Sequence, residues 1–115
     1  MKRDDDLIRS MLLEMEQDDD WLFAETMEGG ADEHRRLYHR RLMADDGLLV
    51  YQDCGSYRLS AEGHNYLNAI RDEGIWSKTK GVVAESGGNA TLEIMKALAV
   101  GFLKKKIKDH TDIDV

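Results

Sequence analysis

The densest chemistry in the sequence lies between Asp32 and Arg41, where Arg35, Arg36, Arg40 and Arg41 share one stretch with His34 and His39. With Asp32 read as an N-cap, Glu33 is the one acid set against them, so the stretch is locally positive in an acidic chain. On a helix entering a major groove, arginines contact guanine edges and phosphates, and Arg58, further along, would touch the backbone from a wing. Arg35, Arg36, His39, Arg40 and Arg58 are therefore the expected contacts to double-stranded DNA. That reading predicts salt-sensitive duplex binding, weakened by Arg36→Ala and Arg40→Ala. The competing reading is a solvated helix face whose arginines pair with the chain's surplus carboxylates, each pair contributing less than about 1 kcal/mol.

The other reactive side chains do not assemble into a site. His34 and His39 are five residues apart, which does not align them on a helix, and Cys54 is the only thiol, so no metal site is expected. Cys54 reads as an exposed thiol at a turn, without a neighbouring base in sequence to form a thiolate. His39 and His64 read as hydrogen-bonded within the fold. The triplets Asp4-Asp5-Asp6 and Asp18-Asp19-Asp20 read as solvated helix ends, because consecutive aspartates on a helix point in different directions. Gly29-Gly30 and Gly87-Gly88 lack the Gly-Lys-Ser/Thr that a phosphate loop requires. No nucleophile stands beside a base. The sequence predicts no enzyme, no cofactor and no small-molecule ligand.

These residues need elements to hold them. Leu7, Ile8, Met11, Leu12 and Met15 fall at helical spacing and predict a first helix over residues 5–17. Trp21 to Ala24 predicts a short strand or an anchored loop. The arginine helix follows from Asp32 to Asp45 and is stopped by Gly47. Leu48–Gln52 and Ser56–Leu59 predict a β-hairpin, turned at Asp53-Cys54-Gly55. Ser60 caps a helix running to about Asp72, Gly74 interrupts it, and Ile75 opens another that reaches Glu85, with Trp76 as a core anchor. The last helix runs from Ala90 or Thr91 to about Lys108. Helix, hairpin and return helix in this order form the wing half of a winged helix-turn-helix. The stretch between Gln17 and Asp32 is short for the second helix such a motif uses to brace its reader.

The same residues resemble a known family. Tyr38-His39, Leu42-Met43 and Asp46-Gly47-Leu48-Leu49 match its helix end, and Arg58-Leu59-Ser60, Glu62-Gly63-His64 and Leu67 match its next stretch. Ala69-Ile70-Arg71-Asp72, Ile75-Trp76 and Lys78 continue the match, and Gly87-Gly88 with Leu92, Ile94, Lys96, Ala97 and Leu98 follow its tail. The chain is similar to the bacterial and phage family called "domain of unknown function 2513". The resemblance implies a winged-helix-like fold and carries over no catalytic residues.

The last helix is apolar on more than one face, with Leu92, Met95, Leu98, Ala99 and Phe102 among its apolar residues. A helix of that kind is buried on both sides, and in a small domain a two-fold homodimer is the common solution, so these five are the expected dimer interface. Burial wholly within the monomer is the alternative. Lys104, Lys105, Lys106 and Lys108 at its end read as partners of the helix dipole rather than as a membrane contact.

Length and composition bound the rest. The 115 residues carry a net charge of −7 and are 42% hydrophobic, which suits one soluble domain and argues against indiscriminate nucleic-acid binding. The N-terminus lacks the apolar core of a signal peptide, and one cysteine permits no intrachain disulfide, so a cytoplasmic setting is expected. The expected fold is mainly α with a small β-hairpin wing, a winged-helix-like single domain over 1–115 with extra C-terminal helices, of which 90–108 serves association. The expected function is DNA binding or a role associated with transcription. The alternative is a non-enzymatic protein-interaction module on the same fold.

Overall fold

In the computed structural model, which describes residues 1–26 and 29–113 and only the backbone at Cys54, helix α1 spans Asp5–Gln17 as its apolar spacing predicts. The Asp4 carboxylate accepts from the Leu7 amide at 3.1 Å, and Asp5 and Asp6 occupy the positive first turn. One stripe of α1, Ile8, Met11, Leu12 and Met15, is buried. The expected exposure of the Cys54 thiol lies outside the described atoms.

After α1 come strand β1 (Phe23–Ala24) and helix α2 (Ala31–Asp45), then β2 (Leu49–Tyr51), a 3-10 turn at Asp53–Gly55 and β3 (Ser56–Leu59). Strand β1 pairs antiparallel with β3, and β3 with β2, so the order is β1-β3-β2. Phe23 stands opposite Tyr57, and the two rings stack with centroids 5.6 Å apart. This aromatic pair explains why so short a strand adds to the hairpin, since cross-strand pairs are the unit of sheet stability. The N-cap of α2 is Gly30, not Asp32; Asp32 lies within the first turn. At the other end Gly47 sits at φ 77°, with its amide on the Ala44 carbonyl at 3.0 Å and the Leu48 amide on Met43 at 2.8 Å. That left-handed cap turns the chain into β2 and suits glycine.

Ser60 starts helix α3 (Ala61–Ile70) as expected: its hydroxyl donates to the Gly47 carbonyl and accepts from the Gly63 amide at 2.9 Å. A Cβ on Gly63 would stand 2.2 Å from the Leu48 carbonyl oxygen. The chain forms two units, Met1–His64 and Asn65–Val115, with the boundary inside α3.

In the second unit, helix α4 (Glu73–Glu85) begins where Asp72 accepts from the Ile75 amide at 3.0 Å. The break expected at Gly74 therefore falls at Asp72, because a carboxylate at an N-cap satisfies an orphan amide that glycine cannot. Helix α5 (Leu92–Thr111) is capped by Thr91 and extends three residues past Lys108, to a left-handed Asp112. Helices α4 and α5 pack together, and Ile75, Trp76 and Thr79 are buried on one, Leu92, Met95 and Ala99 on the other. The five residues expected at a dimer face divide between two environments. Leu92, Met95 and Ala99 are core residues covered by the chain's own packing, whereas Leu98 and Phe102 are half-buried. The architecture is mainly helical with a small three-stranded antiparallel sheet, and no described helix is long and apolar enough to cross a membrane.

Candidate functional site

The four arginines of α2 reach the chain's own carboxylates. Arg35 pairs with Asp4. Arg36 grips Glu14 with both terminal nitrogens, at 2.9 and 3.2 Å, and its Nε lies 3.5 Å from Asp32 one turn earlier. Arg40 reaches Glu33 at 2.7 Å and Glu25 at 3.4 Å, and Arg41 reaches Glu25 at 2.8 Å. Of these contacts the Arg36–Glu14 pair is forked, the geometry that makes arginine–carboxylate contacts strong, and each pair takes up at least one donor that could otherwise meet phosphate or guanine.

Glu25 is the centre of this arrangement. Its side chain is 5% exposed, that of Arg40 is 7% exposed, and the Tyr51 hydroxyl donates to the same carboxylate. Burial and the Glu25 carboxylate push the Tyr51 phenol up to about 12, so it stays a donor at neutral pH. Arg41 lies 4.4 Å from the centre of the Tyr51 ring and Arg40 5.5 Å from that of Tyr57, adding cation–π contacts. The Glu25 amide donates to Gly55 at 2.8 Å, continuing the β1–β3 ladder past Ala24. Helix and sheet are thus joined by one buried polar cluster. Nothing in the sequence marks Glu25 beyond an acid following the aromatic run, because its partners lie 15 to 26 residues away.

His39, expected at a DNA contact, is fully buried. Its Nε2 accepts from the Asp4 amide at 2.8 Å, which requires the proton on Nδ1, and Nδ1–H donates to the Arg35 carbonyl at 2.8 Å. His39 and Arg35 together hold the start of α1 through Asp4. The Leu7 amide, then Arg35, holds the Asp4 carboxyl below its ordinary 3.8, against the opposing effect of burial. A depressed folded value means the contribution is present above the unfolded pKa and is lost as pH falls through the folded one. Stability is therefore expected to hold down to about pH 4 and decline below it, with Asp4→Asn lowering the neutral-pH stability and flattening the decline by less than about 1 kcal/mol after solvent screening. Urea titrations monitored by circular dichroism between pH 7 and pH 2.5 measure this.

Arg58 lies elsewhere. Its guanidinium donates to the Leu59 carbonyl at 3.2 Å and lines a cleft of about 510 Å³ with Met15, Asp18, Asp20, Trp21 and Phe23. Of the expected DNA contacts, then, Arg35 and Arg36 form ion pairs at partly exposed positions, His39 and Arg40 are buried in structural roles, and Arg58 faces an acidic cleft. The first unit carries eight basic against sixteen acidic side chains. Among the described residues, no group of three or more His, Cys, Asp or Glu is placed to hold a metal ion.

An uncharacterized protein of Haemophilus influenzae (strain ATCC 51907 / DSM 11121 / KW20 / Rd) is 29% identical over 109 residues, spanning 86% of this chain and 92% of its own length. No solved structure matches the chain. The sequence pattern of the family described as "Hypothetical protein (DUF2513)" matches residues 2–89, which include the arginine helix, the sheet and the Gly63 contact and end ahead of α5. With most of its length matched, from the Asp4 clamp to the end of α4, this chain belongs to the DUF2513 family.

Proposed function

We propose that this protein is a non-enzymatic protein-interaction module of winged-helix type, acting in the cytoplasm, whose arginine helix braces the fold instead of reading DNA. The observation that carries this reading is that Arg35, Arg36, Arg40 and Arg41 are all paired with carboxylates of the same chain. Phosphate would have to displace those partners and approach a unit with twice as many acids as bases, against a field of the same sign. The winged-helix assignment is supported by β1 joining the β2–β3 hairpin on the β3 side, directly after the arginine helix has been placed between them in sequence. Among described residues between α1 and α2, β1 is the only regular element, so no second helix stands between them, and α2 is tied instead to the start and body of α1 through Asp4 and Glu14 and to the residue after β1, Glu25.

Fluorescence anisotropy with pooled duplex fragments at low salt, about 50 mM, tests the reading. The expected result is no saturable binding, and recovery of a stoichiometric protein partner free of nucleic acid. Salt-sensitive duplex binding that Arg36→Ala weakens by about tenfold or more would overturn it in favour of a DNA-binding protein.

A further inference from the structure

We propose that the protein pairs with itself, the Asp18–Leu22 segment of one copy seating Trp21 in the apolar groove beside the C-terminal half of α5 in a second copy. The groove, about 370 Å³, is lined by Leu103, Ile107 and Thr111 of α5 and by Asn68 and Arg71, and Ile107 is 41% exposed. Its rim carries more base than acid. Arg71 and Lys106 border it against Asp72, which pairs with Lys106, and Lys104 and Lys108 follow on the neighbouring flank of the helix. A guest for this surface must be apolar with negative charge beside it.

The chain presents such a segment in its other unit. Three aspartates, Asp18, Asp19 and Asp20, run into Trp21 and Leu22, and Trp21 is 67% exposed. The Asp18 carboxylate accepts from the Asp20 amide at 2.9 Å and that of Asp20 from the Leu22 amide at 3.3 Å, so the segment is held in shape before it docks. Preorganisation of this kind lowers the ordering cost of association. A tryptophan brings a large apolar area in one side chain, and aspartates meeting lysines set the register and speed the encounter. This places association at the exposed C-terminal half of α5, away from the buried Leu92, Met95 and Ala99.

The contact rests on the interaction reading, names one partner for it, and is small enough to be weak and salt-dependent. The full chain is examined by sedimentation equilibrium and tryptophan fluorescence from about 1 to 500 µM, a range suited to weak contacts of this size. The mass is expected to rise with concentration, and Trp21 emission to shift to the blue while Trp76, already buried, contributes a constant signal. Raising salt from about 50 to 500 mM, or introducing Trp21→Ala or Ile107→Asp, is expected to weaken association about tenfold. A charge swap supplies the specific test. Asp18→Lys/Asp19→Lys/Asp20→Lys and Lys104→Glu/Lys108→Glu are each expected to lose self-association and to regain part of it when mixed, the first variant having given up the Asp18 and Asp20 turns. Lysines at the carboxyl end of α1 favour the helix dipole, so the first variant is expected to fold, and circular dichroism verifies both. A monomer throughout the range, or an association indifferent to Trp21→Ala and to the swap, overturns the pairing. If the chain stays monomeric throughout while a different protein is recovered, the pairing falls and the interaction reading stands; DNA binding of the kind described above fells that reading without touching the pairing.

Discussion

Gly63→Ala is expected to unfold the protein or leave it several kilocalories less stable. The added Cβ would stand 2.2 Å from the Leu48 carbonyl oxygen and 3.0 Å from a Leu59 methyl. The oxygen belongs to the backbone and is fixed by the Ser60 amide, which donates to it at 3.0 Å. No rotamer change relieves such an overlap. Either α3 lifts from the turn into β2 or the Ser60–Leu48 bond breaks, and Ser60 is also the helix cap that ties to Gly47. Overpacking that moves backbone, with a lost hydrogen bond, places the effect at about 3–5 kcal/mol, comparable to the whole stability of a marginal domain. Urea unfolding monitored by circular dichroism measures it. Gly81→Ala is the control: it lies within α4, a Cβ there meets nothing within 4 Å, and a gain of about 0.5–1 kcal/mol is expected from helix propensity. A Gly63→Ala protein within about 1 kcal/mol of the parent would show that α3 does not approach the hairpin this closely.

Sequence reading succeeds here where the signal is local. The stripe from Ile8 to Met15 sets α1, Ser60 caps α3, Gly47 ends α2, and the two apolar runs around Asp53-Cys54-Gly55 make the hairpin, because spacing and turn chemistry act over a few residues. It errs where two nearby residues compete for one role. Gly30 displaces Asp32 as the cap of α2, leaving Asp32 to pair with Arg36, and Asp72 displaces Gly74 as the break before α4. It is blind to distant pairing. His39 and Asp4 are 35 residues apart, and Arg36 and Glu14 are 22 apart. The arginine stretch therefore reads equally well as a DNA-contacting face or as a set of internal cations, and only the positions of Asp4, Glu14, Glu25 and Glu33 separate the two. Similarly, the apolar excess of α5 reads as a dimer face until α4 and the chain's own packing account for Leu92, Met95 and Ala99.

Glu25→Ala is the second large effect, and it tests whether the arginine helix is a brace. Removing the carboxylate leaves Arg40 buried with Glu33 as its remaining acid, strips the Tyr51 hydroxyl of its acceptor and releases Arg41. Deleting one partner of a buried ion pair leaves an under-compensated charge and is expected to destabilise by about 3–5 kcal/mol. Glu25→Gln keeps the shape and one acceptor for Tyr51 while losing the charge, so an intermediate loss is expected. The cost belongs to the stranded guanidinium more than to the missing attraction, and that distinction can be measured. With Arg40→Met added, the buried cation is gone, an apolar chain of similar reach packs against Tyr57, and Glu25→Ala should then be milder by about 1–3 kcal/mol. A double-mutant cycle by urea unfolding gives this coupling, and additivity within about 0.5 kcal/mol would mean that Glu25 and Arg40 do not act as a pair. The Glu25→Gln variant also links stability to function. It frees the already exposed Arg41 and removes one acid from the first unit, so if the neutralised arginines are what keep duplex DNA away, this variant should bind it more tightly than the parent, with the increment abolished by salt. A brace that yields a DNA-binding surface when one carboxylate is removed would show that the same helix can serve either role, and that in this chain Glu25 decides which.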